Sequence, residues 1–217
     1  MERNNKQKRN VIYRALRKVW RVFVPVISYE ERQKRDRQRD YEYLKSCGVE
    51  TEPGFVTLYG MPIINKHPQA RIVLGNGVTI ISDSKYNDAG INHPAILAAT
   101  QPGAEIILHD GVGISGTSIV AEKRIEIGAN TMLGSNTNLY DNDFHAVNAE
   151  DRLAGKKGLC APIKIGSKCW LASNVTVLKG VTIGDEVVVG AMSLVTKDIP
   201  KRVFAAGVPA RVIKRLE

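Results

Sequence analysis

The chain has 217 residues, 43% of them hydrophobic, which suits one domain with an appendage and a sizeable buried core. Its net charge of +9 is segregated: residues 1–45 hold 14 Lys and Arg against 6 Asp and Glu, while the remaining 172 residues hold 17 against 16. Three scattered cysteines, Cys47, Cys160 and Cys169, argue against a disulfide framework, and the run VFVPVI is too short for a signal core or a membrane span. The expected location is therefore cytoplasmic.

Ile12, Leu16, Val19, Phe23 and Val26 fall at helical spacing, with Arg14, Arg17, Lys18 and Arg21 interleaved. Pro25 should end or kink that helix. Ser28 with Glu31 resembles a capping box opening a second, very polar helix that runs to about Cys47, with Gly48 as its stop. Residues 1–50 thus read as a basic helical extension. Its first 27 residues suit peripheral contact with an anionic inner membrane face, or packing of the stripe on the rest of the protein, and both readings stay open. Nucleic acid is not expected, because no recognised binding fold accompanies the charge.

Beyond residue 50 a different period takes over. Leu74 and Ile80 start a beat of six; Leu108, Ile114 and Val120 resume it; after a one-residue slip Ile127, Leu133 and Leu139 continue it. Ile165, Leu171, Val177, Ile183, Val189 and Val195 then keep it without a slip. Six residues would drift around a helix of 3.6 per turn but keep one face of a strand. The intervening positions are not uniformly apolar, so the pattern fits short strands separated by turns, wound as a coil. Small residues directly after the aliphatic ones, such as Gly166, Gly184 and Gly190, suit turns. Two long interruptions, residues 82–105 and 140–162, are expected to be ejected loops that carry function. GVGISG, Gly111–Gly116, fits a dinucleotide-binding pattern, but both flanks follow the six-residue beat and no helix follows it.

His145 lies in the second interruption, directly after Phe144 and close behind Asp141 and Asp143. A neutral imidazole can take a proton from an attacking hydroxyl and pass it to a leaving group, and either Asp can fix the ring's tautomer. His93, beside Asn92 in the first interruption, can border an acceptor site. His67 in NKHPQA reads as a turn residue, and His109 as a turn or subunit contact.

The hexads, the ending VTKDIPKRVFAAGVPARVIKRL and the loop YDNDFHAVNAEDR together resemble the hexapeptide-repeat acyltransferase superfamily. The branch is that of the maltose, galactoside and polysaccharide O-acetyltransferases, and the match runs over about residues 60–217. The resemblance implies an all-β main domain, residues 51–217, wound as a left-handed parallel β-helix with an ejected active-site loop. It also implies a homotrimer that binds acetyl-CoA between subunits and transfers acetyl to a hydroxyl of a sugar or surface-polysaccharide precursor. His145 matches the catalytic base. Ser173, Ala191, Thr196, Lys197 and Arg211 match positions that line the cofactor groove, and Lys214 stands where relatives carry a second Arg. The substrate-binding Asn of galactoside-type relatives has no counterpart in GISGTS, leaving Asn92 and His93 as the acceptor-site expectation.

Other readings of the same chain are acetylation of an antibiotic or amino sugar, and a non-catalytic or zinc-binding β-helix. A zinc site of the γ carbonic anhydrase kind needs three converging histidines. Residues 146–150 read AVNAE and hold no third one, so no metal is expected.

Overall fold

The computed structural model describes residues 29–217, with side chains from residue 35, so the apolar stripe Ile12–Val26 and Ser28 lie outside the described residues. Helix α1 (Tyr29–Ser46) ends where Gly48, at φ +72°, lets the Val49 N–H return to the Leu44 carbonyl at 3.0 Å. Arg37–Glu217 form one compact unit. Within it the end of α1 covers the first turn of a coil. Leu44 is fully buried in the core, the Tyr43 hydroxyl donates to the Pro62 carbonyl at 2.6 Å, and buried Asp40 accepts the Leu58 N–H at 3.1 Å.

The coil opens with β1 (Val56–Tyr59), β2 (Ile63–Lys66), β3 (Arg71–Leu74), β4 (Val78–Ile81), β5 (Ile96–Ala99) and β6 (Glu105–Leu108). It continues through β7 (Gly113–Ser115), β8 (Ser118–Ala121), β9 (Arg124–Ile127), β10 (Met132–Leu133) and β11 (Asn138–Tyr140). After the short helix α2 (Ala149–Leu153) come β12 (Ile163–Ile165), β13 (Trp170–Leu171), β14 (Thr176–Leu178) and β15 (Thr182–Ile183). The chain closes with β16 (Val188–Val189), β17 (Leu194–Val195), β18 (Val203–Gly207) and β19 (Ala210–Arg215).

From β1 to β14 each strand pairs with the strand three further along, and with β18 and β19 added to the end of one of them this gives three sheets. Sheet I runs β1-β4-β7-β10-β13-β16-β18-β19, sheet II β2-β5-β8-β11-β14-β17, and sheet III β3-β6-β9-β12-β15. Only the final β18–β19 pair is antiparallel among the described strand pairs. Leu171 pairs with Val189, Val177 with Val195 and Ile165 with Ile183, so three sixes make one turn of the coil. This is a left-handed parallel β-helix, and every hexad aliphatic from Ile165 to Val195 is buried in its core.

Three details of the repeat differ from the sequence reading. Val120 faces outward, and the large inward residue of β8 is Ile119, aligned with Leu97 and Leu139. The beat loses its residue at the Gly116 corner, where a Cβ would lie 2.7 Å from Ile91. The glycines after the aliphatic residues are not there for left-handed backbone. A Cβ at Gly128 would lie 2.6 Å from the Gly166 backbone, and one at Gly184 would lie 2.6 Å from the Lys201 nitrogen. Successive coils simply approach too closely for a side chain. Positive φ falls two residues later instead, at Asn130, Lys168, Glu186 and Arg202. The first interruption also contains a strand, β5, whose ILAA carries only one large inward aliphatic and so weakens the beat.

Candidate active site

Both ejected segments leave the coil at the edges of sheet II. Residues 82–95 depart after β4 of sheet I and return at β5, at the corner between sheets I and II. Residues 141–162 depart after β11 and return at β12, at the corner between sheets II and III.

The second segment carries His145. Its neck is closed by the Asn142–Cys160 bridge and by the Asp143 N–H donating to the Leu159 carbonyl at 3.0 Å. Phe144 takes φ +58°, costly for a residue with a bulky side chain, and is held by its N–H donating to Asn142 Oδ1 at 2.9 Å. The next residue, His145, is exposed, and its N–H donates to the Asp143 carbonyl at 2.6 Å. Beyond it Asn148 caps α2 by accepting the Glu150 and Asp151 N–H groups, while Arg152 donates to the Ala146 and Val147 carbonyls, each at 3.0 Å. Gly158 completes the seat: a Cβ there would lie 2.7 Å from the His145 carbonyl oxygen and 2.8 Å from Asp143 Cβ.

The two acids expected to orient His145 have other partners. Asp141 is fully buried, and its carboxylate accepts the N–H groups of Glu122, Lys123 and Arg124 at 2.7, 2.8 and 2.8 Å. It also accepts from the Asn142 amide at 3.2 Å. Asp141 therefore holds the β8–β9 turn rather than the imidazole. Asp143 Oδ1 takes the Lys179 ammonium at 2.5 Å, which ties the histidine loop to the corner after β14. Sequence reasoning missed Lys179 and Gly158. Lys179 looks like ordinary repeat filler, and only the tertiary structure brings it 36 positions back to Asp143.

The first segment folds over the opposite corner. The Asn92 N–H donates to Asn136 Oδ1 at 2.8 Å, and Ser135 Oγ donates to Asn87 Oδ1 at 3.3 Å. His93 Nδ1 lies 2.8 Å from the Pro94 carbonyl, which can only accept. The ring therefore donates from Nδ1, and Nε2 carries no hydrogen bond within the described residues. Asn92 and His93 thus stand across sheet II from His145 rather than beside it. His109 faces another sheet: its Nε2 pairs with Glu126 at 2.9 Å on sheet III. Among the described residues no three His, Cys, Asp or Glu side chains gather as a metal site.

The six expected cofactor-binding residues divide between the same two corners. Ser173 and Ala191 stack on consecutive coils at the sheet I–II corner, where the Met192 N–H donates to the Ser173 carbonyl at 3.0 Å. Arg211 continues that edge, in register with Ala206 near the end of β18, while Lys214 lies opposite Phe204 further down the hairpin. Thr196 and Lys197 are exposed at the sheet II–III corner, directly over the turn that bears Lys179. There the Thr182 N–H donates to Asp198 Oδ1 at 2.7 Å. The described residues of one chain do not gather all six into one patch.

Residues 162–197 match the family described as Bacterial transferase hexapeptide (six repeats). The chain is 44% identical over 99 residues to a galactoside O-acetyltransferase of Escherichia coli, covering 46% of this chain and 48% of that protein. It is 38% identical over 106 residues to the putative colanic acid biosynthesis acetyltransferase WcaF of the same organism, covering 42% and 58%. It thus spans about half the length of the curated relatives it matches. A variant of AntD, an N-acyltransferase from Bacillus cereus solved with dTDP and coenzyme A, superposes with a TM-score of 0.60 over 81% of this chain and 88% of that one, at 22% identity. The repeat matches the hexapeptide family over residues 162–197, and the fold around it is a left-handed parallel β-helix. Over a little under half of its length the chain is similar to proteins named as a galactoside O-acetyltransferase and a putative colanic acid biosynthesis acetyltransferase.

Proposed function

We propose that the protein transfers an acetyl group from acetyl-CoA to a hydroxyl of a sugar or surface-polysaccharide precursor, with His145 as general base. The observation that carries the reading is the shared corner. The His145 loop is tied through Asp143 to Lys179, directly below Thr196 and Lys197. A base for the acceptor hydroxyl is thereby held beside cations suited to the phosphates of the donor. The names of the relatives that share its repeats support the same chemistry. His145 takes the proton of the hydroxyl as it attacks the thioester carbonyl, then returns it to the departing thiolate. The backbone around His145, fixed by Phe144, Arg152 and Gly158, keeps the loop that bears the imidazole in place through both transfers.

The donor is gripped by Ser173, Ala191 and Arg211 along one corner and by Thr196 and Lys197 along the other, with Lys214 adding charge on the hairpin. A homotrimer whose grooves pair one corner with the other accounts for this division. Residues 1–27 carry the protein to an anionic membrane face, where a lipid-linked glycan would be met. Sedimentation of the full-length protein with anionic but not neutral vesicles is the expected result, and no sedimentation with either removes the membrane role. For the reaction itself, thiol release from acetyl-CoA is measured with a panel of sugars and glycans. His145→Ala is expected to lower kcat by about 10²–10⁴-fold with donor binding retained. Turnover near that of the parent protein would sink the assignment.

A further inference from the structure

Strand β11 crosses sheet II from one ejected loop to the other, and its outward side chains form a continuous polar line. Asn136, just before it, accepts the Asn92 N–H from the first loop on Oδ1 at 2.8 Å. Asn138 Nδ2 donates to the Asn136 carbonyl at 3.1 Å, and the Tyr140 hydroxyl donates to Asn138 Oδ1 at 3.0 Å. The Tyr140 ring meets Phe144 of the second loop edge to face, with centroids 5.4 Å apart. His145 follows Phe144 directly. Asn138 and Tyr140 are half-buried, and Phe144 is 50% exposed.

Hydrogen-bond capacity shows what the line can still hold. The Tyr140 hydroxyl has donated its proton within the line, so its oxygen is left to accept. Asn138 has used one amide hydrogen and has a second to give. The remaining donor and acceptor both border Asn138 Oδ1, a spacing that suits two neighbouring hydroxyls of one ring. The exposed Phe144 ring supplies an apolar platform for the C–H face of the same ring.

We propose that Asn138 and Tyr140, with Phe144, form the acceptor subsite, and that the acceptor is a pyranoside read through a vicinal pair of hydroxyls. This rests on the acetyltransferase reading above and names the groups that select its acceptor. Asn92 and His93 then act on the sugar from the far wall, through the loop that Asn136 holds.

The test uses the full chain, acetyl-CoA, and methyl β-D-galactopyranoside and methyl β-D-glucopyranoside with their monodeoxy analogues, read by thiol release. Tyr140→Phe removes one oxygen and keeps the ring on Phe144; Asn138→Ala is the second variant, and thermal melting checks that each folds. Each is expected to raise the acceptor KM by about 3–10-fold while the KM for acetyl-CoA stays unchanged. With the analogue lacking the contacted hydroxyl, Tyr140→Phe and the parent protein should become equal. If the parent protein turns over these sugars and both folded variants keep its acceptor KM, the subsite is overturned and the reaction stands. A rise in both KM values together with a lower melting point marks a structural role and also overturns it. If the parent protein acetylates none of the pyranosides, this acceptor is overturned, while the acetyltransferase reading falls only if the wider glycan panel is inert as well.

Discussion

Gly158 has no side chain and no polar role, yet the His145 carbonyl occupies the space that its Cβ would fill. Gly158→Ala should push the histidine loop outward by a few tenths of an ångström or more, lowering kcat by about 10–100-fold. The melting temperature should hardly move, since the loop packs little of the core; an unchanged kcat would show that the loop's seat does not matter. Lys179 predicts the same separation by another route. Its pair with Asp143 is partly exposed, so its loss should cost only about 0–1 kcal/mol of stability. Lys179→Met should nevertheless reduce kcat, because the loop loses its tie to the corner beneath Thr196 and Lys197. Asp141 behaves in the opposite way. Asp141→Ala leaves three N–H groups of the β8–β9 turn without their acceptor and should cost about 3–5 kcal/mol in urea unfolding. The ejection of the loop that bears His145 was legible in the sequence, because an interruption of a strict period announces itself. The partners of Asp141 and Asp143 were not: they are set by which turn lies one coil away, and nothing local encodes it.

The elements were legible to the extent that each strand holds one buried aliphatic. From Ile165 to Val195 corners of equal length keep the count at six, whereas the shorter Gly116 corner and the alanine-rich β5 break it. The outer faces were hidden for the same reason, because a six-residue pattern reports only inward positions. Sheet III shows what the outer face can contribute. Arg71 bridges Glu50 and Glu105 at 2.8 and 3.0 Å, Arg124 bridges Glu105 and Glu126, and Glu126 also takes His109 at 2.9 Å. The hydrogen bond from His109, followed by that from Arg124, holds the Glu126 carboxyl below the ordinary glutamate value. A depressed folded-state value means stability that is present above the unfolded value and lost as pH falls through the folded one. Urea midpoints should therefore decline as pH drops below about 4.5. Glu126→Gln should flatten that decline while starting from a slightly lower midpoint at neutral pH. Identical pH profiles for the two proteins would show that the ladder is solvated decoration.

For the whole molecule, the division of the proposed donor-binding residues between two corners is the feature with the largest consequence. Arg211 and Lys197 stand on opposite edges of sheet II, whose strands β11 and β14 are three residues or about 10 Å long. In the proposed homotrimer the sheet I–II corner of one chain would meet the sheet II–III corner of the next, so that each groove would draw on two chains. Lys197→Ala and Arg211→Ala should each raise the KM for acetyl-CoA, and each homotrimer should carry its lesion in every groove. Chains of the two variants assembled together behave differently. A groove is intact when its sheet I–II corner comes from the Lys197→Ala chain and its sheet II–III corner from the Arg211→Ala chain. In a random mixture that holds for about a quarter of the grooves. Co-expressed variants should therefore recover about a quarter of the parent activity at low acetyl-CoA, whereas the two purified homotrimers mixed without subunit exchange should recover none. Light scattering on the same sample should report a trimer. A trimer without recovered activity would mean that one chain spans its own sheet II to hold the donor alone, and a fully active monomer would remove the shared groove altogether.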